Sequence, residues 1–155
     1  MNNKPFKIIS GIIISFSLCS AVTANEANGI IKIKSTHSVS ETINKLEAVL
    51  SKKGMTIFKR VNHTAGAKKV GLQLRPTELL IFGNPKVGTP LMQCSQTAAL
   101  DLPQKALAYK DENGQVWLAY NDPAYMANRH DIQGCDKAIQ KVTNALAKFS
   151  SIATQ

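Results

Sequence analysis

The chain has 155 residues, 44% of them hydrophobic, and its 19 basic and 10 acidic side chains give a formal net charge of +9. This length and composition fit one globular domain and exclude a low-complexity chain. The positive charge predicts an anionic partner, either a small molecule or an envelope component. The arginines are few and no basic run exceeds two residues, which argues against a specific nucleic-acid site.

Residues 1–24 predict a secretory signal peptide. Lys4 and Lys7 form a positive n-region, an uncharged apolar stretch follows, and Val22 and Ala24 occupy the small-residue positions of a cleavage site. The apolar stretch is shorter than the roughly 20 residues that a bilayer crossing requires. We therefore expect cleavage near Ala24, a periplasmic or secreted product without a stable membrane span, and a disordered lead-in over residues 25–29.

The first half of the remaining chain alternates strand and helix patterns. "IIKIK" at 30–34 alternates apolar and basic residues, as in a strand with one wet face. Ser38 and Glu41 have the spacing of a capping box, so they predict the start of an amphipathic helix that ends at Gly54. "MTIFKRV" at 55–61 predicts the next strand.

The middle of the chain gives one clear strand and two weaker elements. "NHTAGAKKVGL" predicts a loop or a short helix, and the apolar run "TELLIFG" at 77–83 predicts a buried strand. Thr89 and Pro90 resemble a helix start, with a hydroxyl at the N-cap and proline in the first turn. The sequence therefore predicts a helix from there to about Leu100.

The C-terminal part predicts a hairpin followed by a helix. "KALAYKDENGQVWLAY" contains two β-rich segments around Asn113 and Gly114, a strong hairpin turn signal. An amphipathic stripe then predicts a final helix, with apolar positions Ile139, Val142, Leu146 and Phe149. The order of elements predicts a single α+β domain over residues 30–150 with an antiparallel-rich sheet.

The stretch "IFGNPKVGTPLM" has two glycines at the spacing of a phosphate-binding loop. Such a loop continues with Lys and Ser or Thr after its second glycine, but here Gly88 is followed by Thr89. The glycines therefore predict a tight strand-to-helix turn around Pro85. A second interpretation is that amides at the helix N-terminus hold an anion, with Lys86 nearby.

Two cysteines, Cys94 and Cys135, lie beyond the predicted signal peptide. In an exported protein such a pair favours a disulfide. On the chain-entropy model, closing the loop between the two cysteines would stabilise the fold by roughly 4 kcal/mol. Two free buried thiols, or one thiol serving as a metal ligand, are the alternatives.

The sequence contains no recognisable catalytic set, and the catalytic residues and cofactor are unknown. His63, Met92 and His130 are the soft-metal ligand candidates, for copper or haem iron. The segment "YNDPAYMANRH" concentrates polar and aromatic residues that could line a pocket. It could equally be a helix start with Asp122 as N-cap and Pro123 in the first turn.

Three long stretches resemble the domain of unknown function 302 family of bacteria and archaea. They are "LRPTELLIFGNPKVGTPLMQ", "LDLPQKALAYKDENGQVWLAYNDPAYMANRH" and the preceding "VNH", and the likeness extends from about Gly29 to Phe149. The resemblance implies a β-α-β(4)-α arrangement similar to the TATA-binding-protein fold and a homodimer, but no established activity. It also implies that a shared site would lie among the motif positions His63, Gly83, Asn84, Pro85, Met92, Arg129 and His130.

The leading hypothesis is an exported, non-enzymatic ligand-binding or accessory module. Its pocket would combine those motif positions with Tyr120 and Tyr125. The alternatives are a soft-metal-binding protein that uses His63, Met92 and His130, and an enzyme with a histidine general base.

Overall fold

A computed structural model of the protein describes residues 22–25 and 28–155. This part of the chain folds as one α+β unit, as the sequence predicts. Its strands are β1 (Val22–Asn25), β2 (Ile30–Ser35), β3 (Thr56–Asn62), β4 (Thr77–Gly83), β5 (Gln104–Lys110) and β6 (Val116–Asn121). Its helices are α1 (Val39–Lys52), α2 (His63–Lys69), α3 (Pro85–Cys94), α4 (Pro123–Arg129) and α5 (Asp136–Thr154), with a 3₁₀ helix at Gln96–Leu100.

The strands form one antiparallel sheet in the order β1-β2-β6-β5-β4-β3. The sequence's prediction of an antiparallel-rich sheet is therefore confirmed. Most of the predicted signal peptide lies outside the described residues, but its cleavage site at Ala24 falls within β1. Of the predicted lead-in, Asn25 ends β1, Asn28 and Gly29 form a turn, and residues 26 and 27 lie outside the described part.

Helices α1 and α5 pack against each other and against one face of the sheet. Strand β4 alternates between buried and half-buried residues, because successive side chains of a strand point to opposite faces. Leu80 and Phe82 thereby reach the core, where α5 contributes Val142, Leu146 and Phe149. The predicted apolar stripe of α5 is thus the stripe that the fold buries.

The start of α1 is the predicted capping box. The Glu41 amide donates to the Ser38 hydroxyl at 3.3 Å, and the Ser38 amide donates to the Glu41 carboxylate at 3.2 Å. The hydrogen bonds that the Ser38 amide and hydroxyl donate to the Glu41 carboxylate lower the pKa of Glu41. Two amides that the helix itself cannot satisfy are thus paired within four residues of sequence.

The hairpin between β5 and β6 is longer than a two-residue Asn-Gly turn. Lys110 pairs with Val116, so residues 111–115 form the connection. One Asp111 carboxylate oxygen accepts from the amides of Asn113 and Gln115, and Gly114 has a φ of 82°. The aspartate organises the turn, and the glycine supplies its left-handed residue.

The helix predicted to start at Thr89 and Pro90 starts earlier in the structure. Asn84 is the N-cap of α3 and Pro85 occupies the first turn, while Pro90 lies inside the helix. The predicted continuation to Leu100 is also wrong, because Ser95 adopts an extended conformation that separates α3 from the 3₁₀ helix. Asn84 before Pro85 and Thr89 before Pro90 give the same sequence signal, a capping side chain followed by proline.

The two ambiguous segments are short helices. Asn62 caps α2, its side chain accepting from the Ala65 amide at 2.8 Å, so the short-helix alternative for this segment is the correct one. Asp122 caps α4 with Pro123 in its first turn, and the Asp122 side chain accepts from the Ala124 amide at 2.9 Å.

Candidate functional site

A cavity of about 570 Å³ lies between α3, α5 and neighbouring parts of strands β3, β4 and β5. This volume is within the range of about 300–1,000 Å³ that small-molecule sites occupy. Its walls are mainly aliphatic, aromatic and thioether side chains, namely Met55, Phe58, Phe82, Val87, Leu91, Met92, Leu102, Val142, Ala145, Leu146 and Phe149. We call this space the α3–α5 cavity.

A β-bulge helps to form the strand side of the cavity. The register between β3 and β4 shifts between Ile57 and Lys59, so Phe58 is the extra residue of β3. A bulge changes the direction of the strand and re-aims its side chain, and Phe58 lines the cavity while remaining 52% exposed. A Cβ atom at Gly83 would lie 3.2 Å from the Phe58 ring, so glycine permits this close approach.

Asn84 fixes the position of α3 at the cavity wall. Its Oδ1 accepts from the Lys86 amide at 2.9 Å, and its Nδ2 donates to the Gly54 carbonyl at 3.1 Å. The amides of Val87 and Gly88 donate to the Asn84 carbonyl oxygen, each at 2.9 Å. These first-turn amides are therefore already paired, which argues against the interpretation that they hold an anion.

Three lysines supply positive charge to the cavity lining, Lys53 after α1, Lys86 on α3 and Lys141 on α5. No lining residue is acidic. Within residues 28–155, none of these lysines forms an ion pair with a carboxylate. The cavity thus combines an apolar interior with ammonium groups that are available to an anion.

A disulfide joins the two helices that face each other across the cavity. Cys94 ends α3 and Cys135 is the N-cap of α5, and their Cα atoms are 6.5 Å apart. The pairing is the first of the alternatives that the sequence left open. The bond therefore links the C-terminal end of α3 to the start of α5.

The nine residues that the sequence grouped into one pocket do not share one cavity. Gly83, Asn84, Pro85 and Met92 line the α3–α5 cavity. Tyr125 and Arg129 line a separate polar pocket of about 200 Å³ beside Asp101. The remaining predicted residues, Tyr120, His63 and His130, line neither space.

The aromatic ring of Tyr125 lies directly over Gly29. A Cβ atom at Gly29 would lie 2.1 Å from that ring, and its φ of 65° also favours glycine. The Gly29 carbonyl accepts from the Asp122 amide at 2.8 Å. Tyr125 therefore has a packing role, because it holds the start of β2 against the start of α4.

His130 is buried and both of its ring nitrogens have partners. Nε2 lies 2.7 Å from Asp101 Oδ2, and Nδ1 lies 3.1 Å from Thr97 Oγ1. Arg129 Nη1 approaches the same carboxylate at 3.4 Å. Because both nitrogens are hydrogen-bonded within the fold and His130 lines neither cavity, we assign a structural role to His130.

The other two predicted residues that line neither cavity, His63 and Tyr120, also do not lie together in one site. His63 is exposed at the first position of α2. Tyr120 lies in the core, and its burial raises the pKa of its hydroxyl. Residues 28–155 contain no group of three or more His, Cys, Asp or Glu side chains arranged to hold a metal ion.

Sequence reasoning named Lys86 and Phe149 but missed Lys53, Lys141 and Phe58 as parts of one cavity. Lys141 lies off the apolar stripe of α5, immediately before Val142. A lysine flanking an apolar stripe has no distinctive spacing. The cavity could not be found from the sequence, because it depends on the separation between α3 and α5.

Comparisons with known proteins agree with this fold. The profile of a family described as "Domain of unknown function DUF302" matches residues 31–149. The chain belongs to the DUF302 family. A crystal structure of an uncharacterized conserved DUF302 protein from Bacillus stearothermophilus has a TM-score of 0.74 and 19% identity to this chain, covering 82% of this chain and 99% of that one. At this identity, the likeness shows the DUF302 fold alone.

Curated relatives of this DUF302 chain carry the name of a membrane channel. Two are named "Fluoride-specific ion channel FluC 1", from Brucella suis biovar 1 and Brucella abortus biovar 1. Each is 53% identical over 128 residues, or 80% of this chain, and the match covers 50% and 47% of the two relatives. The chain thus spans about half the length of these relatives. In the described part of the chain, no helix combines the length and apolar character needed to cross a bilayer.

Proposed function

We propose that this protein is an exported binding module for an amphipathic anion, a molecule with an apolar body and one negatively charged group. The observation that carries the proposal is the α3–α5 cavity, whose apolar walls meet three lysines and no acidic residue. This narrows the hypothesis from the sequence, a module that binds an anionic small molecule or an envelope component.

Each part of the cavity acts on a different part of such a ligand. Removing apolar surface from water stabilises a complex by roughly 25 cal/mol per Å², so the walls favour an alkyl or aromatic body. Lys53, Lys86 and Lys141 favour a carboxylate, sulfonate or phosphate and disfavour a cationic head group. The polar lining groups Asn84, Thr89 and Gln104 can donate further hydrogen bonds.

Export is supported by the N-terminal pattern and by the disulfide, since such bonds persist in oxidising compartments. Cleavage near Ala24 would remove most of β1 and leave β2 as an edge strand. Mass spectrometry of the protein from cell envelopes tests the cleavage, which predicts a chain starting at Asn25. The homodimer that the family resemblance implies remains a proposal, and analytical ultracentrifugation tests it.

Calorimetric titration tests the binding proposal with three ligands of equal chain length. We expect decanoate to bind more tightly than decanol, and decyltrimethylammonium to bind most weakly, because only decanoate pairs its charge with the lysines. Equal affinity for the three head groups would reject anion selection. Absence of binding for all three at millimolar concentrations would reject the cavity as a ligand site.

A second candidate function is an accessory role beside a membrane ion channel. One observation favours it, the 53% identity to one half of proteins named fluoride-specific ion channels. In those relatives, a single chain therefore contains a domain of this kind together with further sequence. Deletion of the gene should then lower growth in fluoride but not in equimolar chloride, and unchanged fluoride tolerance contradicts this role.

A further inference from the structure

The segment of residues 63–76, which joins β3 to β4, exposes an unusual set of aliphatic side chains. We call it the α2–β4 arm. Val70, Leu72 and Leu74 are 71%, 66% and 45% exposed. They account for three of the seven large hydrophobic side chains that are exposed in the described part of the chain.

The backbone of the arm is nevertheless well ordered. Helix α2 ends in a Schellman motif, in which the Leu72 amide donates to Ala67 O at 3.0 Å and the Gly71 amide donates to Lys68 O at 3.2 Å. Gly71 has the left-handed φ of 74° that this motif requires. In such a motif, an apolar residue after the left-handed glycine usually packs against the preceding helix, but here the Leu72 side chain is exposed to solvent. The fold thus holds the apolar side chains outward.

The charge of the arm is uniformly positive. It contains Lys68, Lys69 and Arg75 and no acidic residue. Arg75 ties the arm to the β5–β6 hairpin by donating to Lys110 O at 3.2 Å, and it lies 3.9 Å from Glu112. The two lysines form no ion pair within residues 28–155. They therefore remain available to an external anionic surface.

We propose that the α2–β4 arm docks on an anionic lipid surface, with Val70, Leu72 and Leu74 inserted among the acyl chains and Lys68 and Lys69 at the phosphate groups. Aliphatic side chains beside lysines are typical of interfacial membrane segments. Protein interfaces instead concentrate aromatic residues and arginine and are depleted in lysine. A second copy is disfavoured because it would bring lysines against lysines. The docking does not depend on what the α3–α5 cavity binds.

Tryptophan variants of the full chain report insertion at the arm itself, independently of any other contact with the membrane. Both variants carry Trp117→Phe, so that the introduced tryptophan is the only one in the sequence. Leu72→Trp is the test, and Ile152→Trp is the matched control at another exposed aliphatic position, 47% exposed on α5. With vesicles of brominated phosphatidylglycerol, we expect blue-shifted and strongly quenched emission for Leu72→Trp only. Vesicles of brominated phosphatidylcholine should give little quenching.

Charge variants complete the test. Each basic residue near an anionic surface contributes about fivefold to partitioning, so Lys68→Gln with Lys69→Gln should lower quenching affinity about 25-fold. Lys137→Gln with Lys148→Gln on α5 is the control and should change it little. Equal quenching of the Leu72→Trp and Ile152→Trp variants overturns the proposal. A blue shift of Leu72→Trp that grows with protein concentration in the absence of vesicles also overturns it, in favour of a second copy.

Discussion

The α3–α5 cavity and the polar pocket beside Arg129 use their polar groups in opposite ways. Asp101 and Arg129 line the polar pocket, and the Asp101 carboxylate contacts both Arg129 and the buried His130, so these polar groups satisfy one another. In the cavity, the lining lysines have no carboxylate partner in the described residues.

This difference indicates which of the two regions can bind a ligand. Polar groups that are already paired stabilise a fold, and a ligand would have to displace their partners. Lysines without a carboxylate partner in the described residues, beside an apolar cavity, gain from an amphipathic anion. We therefore assign binding to the cavity and a structural role to the cluster at His130.

The largest expected effect is the loss of binding when the cavity is filled. Ala145 lines the cavity, so Ala145→Trp should weaken decanoate binding by about 100-fold, equivalent to about 3 kcal/mol. Ala147→Trp is the matched control, because Ala147 is exposed on the same helix. Calorimetric titration measures both variants, and circular dichroism checks their folding. Wild-type affinity in a folded Ala145→Trp variant would place the ligand elsewhere.

The next effect concerns stability without binding. His130→Ala should lower the free energy of unfolding by about 1–3 kcal/mol, because Asp101 and Thr97 lose a buried hydrogen-bond partner. Arg129→Ala should cost less than about 1 kcal/mol, since this ion pair is more than half exposed at arginine. Urea unfolding measures both values. Loss of decanoate binding with unchanged stability in His130→Ala would reverse the assignment.

A smaller effect is expected from each cavity lysine. Lys86→Ala should weaken decanoate binding about fivefold, which corresponds to the roughly 1 kcal/mol of one charge pair in water at contact distance. The affinity for decanol should not change. Raising the salt concentration should reduce the decanoate affinity of the wild type more than that of the variant. Equal losses for decanoate and decanol would indicate that Lys86 contributes packing instead of charge.

The smallest effect lies at the β5–β6 hairpin, away from both regions. The hydrogen bond from the Trp117 indole, 2.8 Å long, is the main cause that lowers the pKa of Asp111. The contribution of this hydrogen bond to stability is therefore fully present above the usual aspartate pKa. It is lost as the pH falls through the lowered pKa of Asp111 in the folded protein. Trp117 is the single tryptophan, so its fluorescence during acid titration reports this step. A transition that is the same in Asp111→Asn would exclude Asp111 as its origin.

Elements whose signals are local could be predicted from the sequence. The capping box of α1 needs only Ser38 and Glu41, β4 is a continuous apolar run, and the periodicity of α5 arises from burial on one side. The start of α3 could not be predicted in this way. Asn84 with Pro85 and Thr89 with Pro90 carry equivalent signals, and the hydrogen bond from Asn84 to Gly54, thirty residues earlier, supports the first.

The candidate site was only partly visible in the sequence for a related reason. Unusual polar residues attract attention, so His130, Arg129 and Tyr125 were grouped with Met92. Their partners Asp101, Thr97 and Gly29 are distant in sequence, and the structure shows that these contacts account for them. The cavity instead consists of common residue types brought together by two helices.

The most direct test of the account is an ¹⁵N–¹H NMR titration of the protein with decanoate. If the cavity binds decanoate, the amide signals of Gly88, Met92 and Ala145, on the two helical walls of the cavity, shift in a saturable manner. The signals of Gly29 and Arg129, at the polar pocket, should stay unchanged. Shifts concentrated at Gly29 and Arg129, with none on α3 or α5, would contradict it.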